Sequence, residues 1–294
     1  MRDPKALNHE PPKWLSGLLI VGTALTILYF ENKRPLRKKR QSKIRRNVRN
    51  LAMSVTTAAT IRASEKPLTT YLMKEGQRRN FGLLRRIQMP AWLYVFLSLV
   101  LLDYTLFIWH YLTHRVPLLW RLHQVHHVDL DLDASTALRF HPAEMLLSAS
   151  WRGAQVFFLG IAPFPLSLWQ LITLLEIIFH HSNIELPIAF ERKLVKIIAT
   201  PRMHGIHHSI LPEETDSNWS TIFTWPDYVH GTLQLNIPQD EITIGVPAFQ
   251  DPDELMLGDI LKMPATADRP SRRISGNGKP ERKKSSGPRV RLTA

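Results

Sequence analysis

Twelve of the chain's 13 histidines fall between His110 and His230. Most are grouped: His110 and His114 in WHYLTH, His123, His126 and His127 in HQVHH, His204, His207 and His208 in HGIHH, and the adjacent pair His180 and His181. A neutral imidazole is the commonest side-chain metal ligand, and so many at these spacings are useful mainly for binding metal. On a helix, residues three and four apart share a face, whereas neighbours point about 100° apart. His110 and His114 therefore form one two-ligand edge, and His123 with His126 or His127 forms another. In HxxHH the adjacent histidines diverge: one joins the leading histidine and the other reaches a second centre. The same holds for His204, His207 and His208. The pattern predicts two metals with shared walls, because a closed zinc site needs only four ligands. Imidazole suits iron, zinc, copper or nickel, so ligand type alone does not choose the metal.

The elements that carry these residues are unusually apolar. Residues 91–112 are apolar for roughly the length of a bilayer span; Asp103 is their only charge, and their end delivers His110. Residues 14–30 carry no charge. Residues 157–179 contain Pro163 and Pro165 and carry Glu176, which reads as helix, kink and second helix, or a re-entrant pair. Residues 51–73 are interrupted by Arg62, Glu65 and Lys66 and read as an interfacial helix or a tilted span. The expected fold is all-α: an integral-membrane helical bundle of about four hydrophobic segments under a histidine-rich helical cap at the cytoplasmic face.

Residues 14–30 lead directly into ENKRPLRKKRQSKIRRNVR with no small-residue cleavage pattern, so they read as an anchor and not a signal peptide. Between Lys33 and Arg49 there are ten Lys or Arg residues, against Arg2, Lys5 and Lys13 before the apolar run. The positive-inside rule then puts the N-terminus outside and the basic run in the cytoplasm. The histidine boxes follow it to the cytoplasmic side of what reads as a cell inner membrane.

The net charge of +13 comes from 38 basic against 25 acidic side chains and lies mostly in two segments. It is explained by topology and attraction to anionic headgroups; no nucleic-acid fold signature accompanies it, so no nucleic acid is expected. The cysteine count of zero excludes disulfides, iron–sulfur clusters, thiolate zinc and a cysteine nucleophile. Three parts follow: an anchor with its basic segment (1–50), a membrane-embedded histidine-box domain (51–250) and a basic tail (251–294). The tail, rich in Pro, Ser, Gly, Arg and Lys from Pro264 onward, is expected to be disordered.

The run LWRLHQVHHVDLDLDASTALRFHPAE, followed by FHHSNIELP and TPRMHGIHHSILPEETDSNWS, resembles the fatty acid hydroxylase and sterol desaturase superfamily over residues 53–232. The three histidine boxes, the HPAE element and the HSN element stand in the family's order. The resemblance implies an integral-membrane, oxygen-dependent di-iron enzyme that hydroxylates or desaturates sterols, fatty acyl chains, carotenoids or related lipids, with one branch cleaving ether lipids. It implies two iron ions, with O2 as co-substrate, held by His110, His114, His123, His126, His127, His204, His207 and His208, plus one of His180 and His181. Where relatives close with Asn-Tyr-Gly and then Trp-Asp…Phe-Gly-Thr, this chain has Asn218-Trp219-Ser220, Trp225-Pro226-Asp227 and His230-Gly231-Thr232.

Four further residues are placed near the metals. Glu176, four before His180, is either a ligand or an acceptor that orients His180 or His181. His141 and Glu144 lie at a helix start opened by Pro142, as braces for an iron histidine or as cap and packing. Asp103, an ionisable residue within a span, either accepts from a ligating imidazole or faces an interface. His9 and His230 read as terminal and loop histidines. No GxGxxG fingerprint, cluster cysteine or haem-binding domain is present, so electrons are expected from a separate ferredoxin or cytochrome with its reductase. The lipid substrate is expected to enter from the bilayer. Two other classes compete: a membrane zinc hydrolase using Glu144 or Glu176 as base, and a non-catalytic metal-binding membrane protein.

Overall fold

The structure is a computed structural model and describes residues 7–266 and 281–282. Its helices are α1 (Lys13–Lys33), α2 (Lys43–Ala63), α3 (Glu65–Arg78), α4 (Ala91–Arg115), α5 (Pro117–His127), α6 (Pro142–Leu159), α7 (Pro163–His181), α8 (Ile188–Leu194), α9 (Pro201–His207), α10 (Pro212–Thr215), α11 (Trp225–His230) and α12 (Leu257–Lys262). No strand is formed among the described residues, only isolated bridges such as Pro35 with Ile184. Proline opens α5, α6, α7 and α9, where its missing N–H costs nothing and its fixed φ favours the first turn.

Among the described residues, three helices are long and apolar enough to cross a membrane: α1, α4 and α7, of 21, 25 and 19 residues. At a rise of about 1.5 Å per residue each reaches roughly 30 Å, the thickness of the hydrocarbon core. Much of their apolar surface faces outward, including Trp14, Leu18, Val21 and Leu25 on α1 and Trp92 and Phe96 on α4. Lipid covers such a surface at no cost. The chain is an integral membrane protein.

All three spans point the same way. The C-terminal ends of α4 and α7 bring His110 and His181 to the histidines of α9, and the end of α1 joins them through Glu31. That carboxylate accepts from the backbone N–H of Ala134 (2.8 Å) and Asn183 (2.9 Å). Asn183, of the HSN element, also exchanges hydrogen bonds with both backbone groups of Arg37, at 2.8 and 2.9 Å. Parallel spans need return legs, and α2 with α3, and then α6, supply them. The legs turn back at the far end, where Gly82 (φ +118°) and Gly160 (φ +75°) meet and Phe81 stacks on Phe157 at 4.6 Å. One core cluster, including Leu102, Val156, Ile161 and Trp169, fills the bundle. A second, including Met53, Val125, Leu130 and Leu255, lies beneath the histidine cap.

Three expectations are corrected. Pro163 and Pro165 do not kink a helix: α6 ends at Gly160 in the left-handed conformation, and both prolines sit in the first turn of α7. Residues 51–73 form neither one interfacial helix nor one tilted span, because the chain breaks at Ser64 into α2 and α3, which bury Arg46, Arg49, Asn50 and Glu65 and leave Arg62 and Lys66 exposed. The start of the tail is not disordered: Leu255 and Ile260 are fully buried with Met53 and Val128. The rest of the tail, 267–280 and 283–294, lies outside the described residues.

A Cβ at residue 82 would run into the Gly160 backbone from a conformation that L side chains avoid, whereas Gly22 has open space around it. Gly82→Ala is therefore expected to cost about 1–3 kcal/mol and to lower the melting temperature in detergent clearly. Gly22→Ala should leave it level or raise it slightly.

Candidate metal centre

The helical cap assembles two groups of four imidazoles. His110 and His114 from α4, His127 from α5 and His207 from α9 present ligand atoms all within 4.8 Å of one another. His126 from α5, His181 from α7, and His204 and His208 from α9 and its C-terminal flank do the same. The divergence of adjacent histidines expected from helix geometry is present: rings 126 and 127 are inclined at 84°, rings 207 and 208 at 86°. Each HxxHH box thus feeds both groups. The shared wall is the His127–His208 stack, with centroids 4.3 Å apart.

Backbone carbonyls fix the tautomers. A carbonyl can only accept, so an imidazole Nδ1 bonded to one must carry the proton, which leaves Nε2 bare. His110 Nδ1 donates to the Trp219 carbonyl (2.9 Å), His207 Nδ1 to Ser217 (2.7 Å), His181 Nδ1 to Ile177 (2.7 Å) and His126 Nδ1 to Arg139 (3.3 Å). Consequently the bare Nε2 atoms of His126 and His181 face each other at 3.0 Å with no proton between them. Two lone pairs at that distance repel, and a cation between them turns the repulsion into coordination. A metal–nitrogen bond of about 2.1 Å puts two ligands at right angles about 3.0 Å apart. His204 Nε2 lies 3.1 Å from both His181 Nε2 and His208 Nε2, the same spacing. In the first group, His207 Nε2 and both ring nitrogens of His127 are buried without a hydrogen-bond partner. Both donor sets fit metal ions.

Two histidines flank the groups, each beside a carboxylate. His123 lies 5.0–5.2 Å, ring to ring, from His110, His114 and His127. Its Nδ1 donates to Glu144 Oε1 at 2.7 Å, and its Nε2 is buried without a partner. His180 lies 4.1 Å from the His204 ring, with Nδ1 3.9 Å from Glu176 Oε1, too far for a hydrogen bond. His181 is thus the member of the pair that enters a four-histidine group.

Glu144 braces a histidine; His141 and Asp103 do not. His141 Nδ1 accepts the Ala143 N–H and its Nε2 donates to the Leu261 carbonyl, so both nitrogens are spent capping α6 and holding α12. Proline at the first helical position directs the preceding residue into the cap, which is why this histidine turns away. Asp103 instead accepts the backbone N–H of Ile222 (3.2 Å) and Phe223 (3.1 Å), tying a loop to α4. His230 bonds Tyr104 at 3.1 Å on the surface, and His9 is exposed.

Two residues missed in the sequence, Asp227 and Asp129, hold the carbonyls. Asp227 accepts from the N–H of Trp219 (3.1 Å) and Ser220 (2.9 Å) and the hydroxyl of Thr232 (2.5 Å), so it fixes the loop that serves His110 and His207. Asn218, at φ +55°, bonds the backbone of Met203 and Gln234. Asp129 is a buried hub for Arg46, Arg49, Arg139 and Asn50, at 2.8–3.4 Å. Burial pushes its carboxyl up, but the three guanidiniums outweigh that and hold it below its ordinary range. The DLDLD run was the available signal. Asp129 anchors Arg139, whose carbonyl orients His126.

Residues 95–232 match the fatty acid hydroxylase family. The chain is similar to ornithine lipid hydroxylase OlsE of Rhizobium tropici, 31% identical over 161 residues, or 54% of this chain and 47% of that protein. It is 28% identical over 137 residues to a cholesterol 25-hydroxylase-like protein of Danio rerio (46% and 53%). It is 27% identical over 144 residues to alkylglycerol monooxygenase of Homo sapiens (49% and 31%). The match spans about half the length of the first two relatives. No solved structure matches the chain. The departure at Asn218-Trp219-Ser220 leaves the site intact, because the loop acts through its backbone.

Burial, and then the neighbouring imidazoles, hold His126, His127, His204, His207 and His208 well below the ordinary histidine pKa, so they are neutral donors. In the unfolded chain the same rings take up protons near pH 6.5. Stability is therefore fully present above that pH and falls as the pH drops below it. The metal-free protein in detergent should show a melting temperature that is level above about pH 7.5 and falls steadily from about pH 6.5 to 5. A level profile across that lower range would contradict neutral buried imidazoles.

Proposed function

We propose that this chain is an oxygen-dependent di-iron enzyme that hydroxylates or desaturates a membrane lipid at an unactivated C–H bond. The observation that carries the reading is the pair of adjoining four-imidazole groups at one end of three parallel membrane helices. The relatives support it: an ornithine lipid hydroxylase, a cholesterol 25-hydroxylase-like protein and an alkylglycerol monooxygenase each bear names of lipid oxidation. The first iron is assigned to His110, His114, His127 and His207, with His123 as a fifth donor. The second is assigned to His126, His181, His204 and His208, with His180 beside it.

Bound iron would supply the electron transfer and dioxygen activation that attack on such a bond requires. The chain's own contribution is geometric and electrostatic. The carbonyls of Trp219, Ser217, Ile177 and Arg139 keep the Nδ1 protons and direct bare Nε2 atoms inward. Glu144 holds His123 in the same way and fixes its orientation. Nearly complete burial of His127, His207 and His208 keeps water from the centre. The lipid enters sideways from the bilayer, so the centre need not open to water.

We assign the histidine end to the cytoplasm, the N-terminus to the outside and the protein to a cell inner membrane. The basic run between Lys33 and Arg49 lies at the histidine end, and its exposed members, such as Lys38, Lys39 and Arg40, suit an acidic ferredoxin or cytochrome that delivers electrons. Arg37, Arg46 and Arg49 are instead bonded inside the cap. Arg78, Arg79, Arg85 and Arg86 collect at the opposite end, so the bias is one of degree.

Protein from iron-replete cells should carry two irons per chain, and its host should accumulate a lipid that gains one oxygen or loses two hydrogens only under air. One zinc per chain with no air-dependent product would support the hydrolase instead; metal uptake without oxygen consumption would leave a carrier. Glu144→Gln should weaken binding at the first site by about 10–100-fold and spare the second. With no native cysteine, Lys38→Cys and Arg79→Cys allow a clean orientation test. In intact cells an impermeant maleimide should label the second and not the first.

A further inference from the structure

Asp103 stands midway along α4 and accepts the backbone N–H of Ile222 and Phe223. Ile222 is packed into the bundle core with Leu102 and Trp169. The same loop pairs with residues 197–199: the Ala199 N–H donates to the Ile222 carbonyl (3.0 Å) and the Thr224 N–H to the Ile197 carbonyl (3.1 Å). Ile198 lines one groove with Thr23 and Thr26 from the middle of α1 and Ile172 from the middle of α7. The helix that follows, α11, rests on Tyr104: Trp225 stacks on its ring at 5.2 Å and His230 bonds its hydroxyl. All three spans thus hold this paired loop at half their height.

Arg85 and Arg86 stand just before α4, so the hydrocarbon core begins near Ala91. Tyr104 lies about 20 Å further along the helix, and the core is about 30 Å thick. The paired loop and α11 therefore lie about 10 Å inside its boundary at the histidine end. Irregular backbone is tolerated at such a depth only where protein satisfies its polar groups. Asp103 does this for the two N–H groups that the pairing leaves over. The outward face suits lipid, for it consists of Ile197 (64% exposed), Trp225, Tyr228 and Val229 (69% exposed), and Trp and Tyr favour the bilayer interface. Lys193 at the end of α8 and Lys196 just beyond it are exposed at its edge, whereas Glu191 of α8 is buried against Arg202. Long lysine stems let the ammonium groups reach headgroups from a deeper backbone.

We infer that residues 197–199 and 222–230 form a re-entrant wedge sunk in the leaflet at the histidine end, with Ile197, Tyr228 and Val229 among acyl chains and Lys193 and Lys196 holding anionic lipid headgroups. This placement holds whatever reaction the histidines support. The chain has no cysteine, so Ile197→Cys, Val229→Cys and, as a reference, the exposed Lys39→Cys can each carry one fluorophore. The full chain is studied in phosphatidylcholine nanodiscs, whose two faces are both open to solutes. Iodide should quench the Lys39→Cys probe strongly and the other two hardly at all, and a nitroxide high on the acyl chains should reverse that order. At equal mole fraction, nitroxide-labelled phosphatidylglycerol should quench the Ile197→Cys probe more than labelled phosphatidylcholine. Lys196→Gln should reduce that preference about three- to fivefold, with unchanged melting temperature and metal content. Iodide quenching as strong at Ile197→Cys and Val229→Cys as at the reference overturns the wedge and would mark a face that meets water or a protein partner. Equal quenching by the two lipids, or a preference that survives Lys193→Gln and Lys196→Gln together, overturns the headgroup assignment.

Discussion

Four backbone carbonyls set the chemistry of the histidine cap. An imidazole offers a metal one lone pair only after its other nitrogen has accepted the proton, and in water the two tautomers compete. Here Trp219, Ser217, Ile177 and Arg139 bind the Nδ1 protons, so four rings from four helices aim bare Nε2 atoms inward. The facing of His126 and His181 Nε2 at 3.0 Å is unfavourable until a cation sits between them. Binding of a metal ion there would thereby be coupled to the tautomer choice.

The carbonyls must themselves be fixed, and buried carboxylates do this. Asp227 gathers the loop after His207, Asp103 ties the next residues of that loop to α4, and Asp129 draws three arginines, Arg139 among them, under the second histidine box. Each buried charge is met by several donors or by guanidinium groups, the condition under which a desolvated carboxylate is tolerable. The loop sequence around Trp219 can therefore change while the centre keeps its form, provided Asp227 still receives the backbone.

The membrane supplies the other constraint. The three spans end together, and each contributes to the cap: His110 and His114 from α4, His181 from α7, and Glu31 from α1, which pins Ala134 and Asn183. Spans in the same direction force return legs through the bundle, and these legs carry Glu65, Arg152 and Gln155 inward where lipid could not solvate them. The exposed apolar faces and the buried polar seam are consequences of one topology.

Spacing within each HxxHH box was enough to read that its adjacent histidines diverge into two groups, because a helix separates adjacent side chains by about 100° whatever surrounds it. Apolar length marked α1, α4 and α7 for the same local reason. Local pattern misled where the outcome depended on neighbours. Pro163 looked like a kink but opens a helix, since Gly160 ends the preceding one. His141 looked like a brace, yet a cap was nearer to hand. Leu255 and Ile260 looked like tail until Met53 and Val128 covered them. Which of His180 and His181 turns inward, where Asp103 and Glu144 point, and which carbonyls meet which rings were decided by tertiary structure alone. Those bonds join residues from 4 to 120 positions apart, and no periodicity in a single segment encodes a partner that another segment provides.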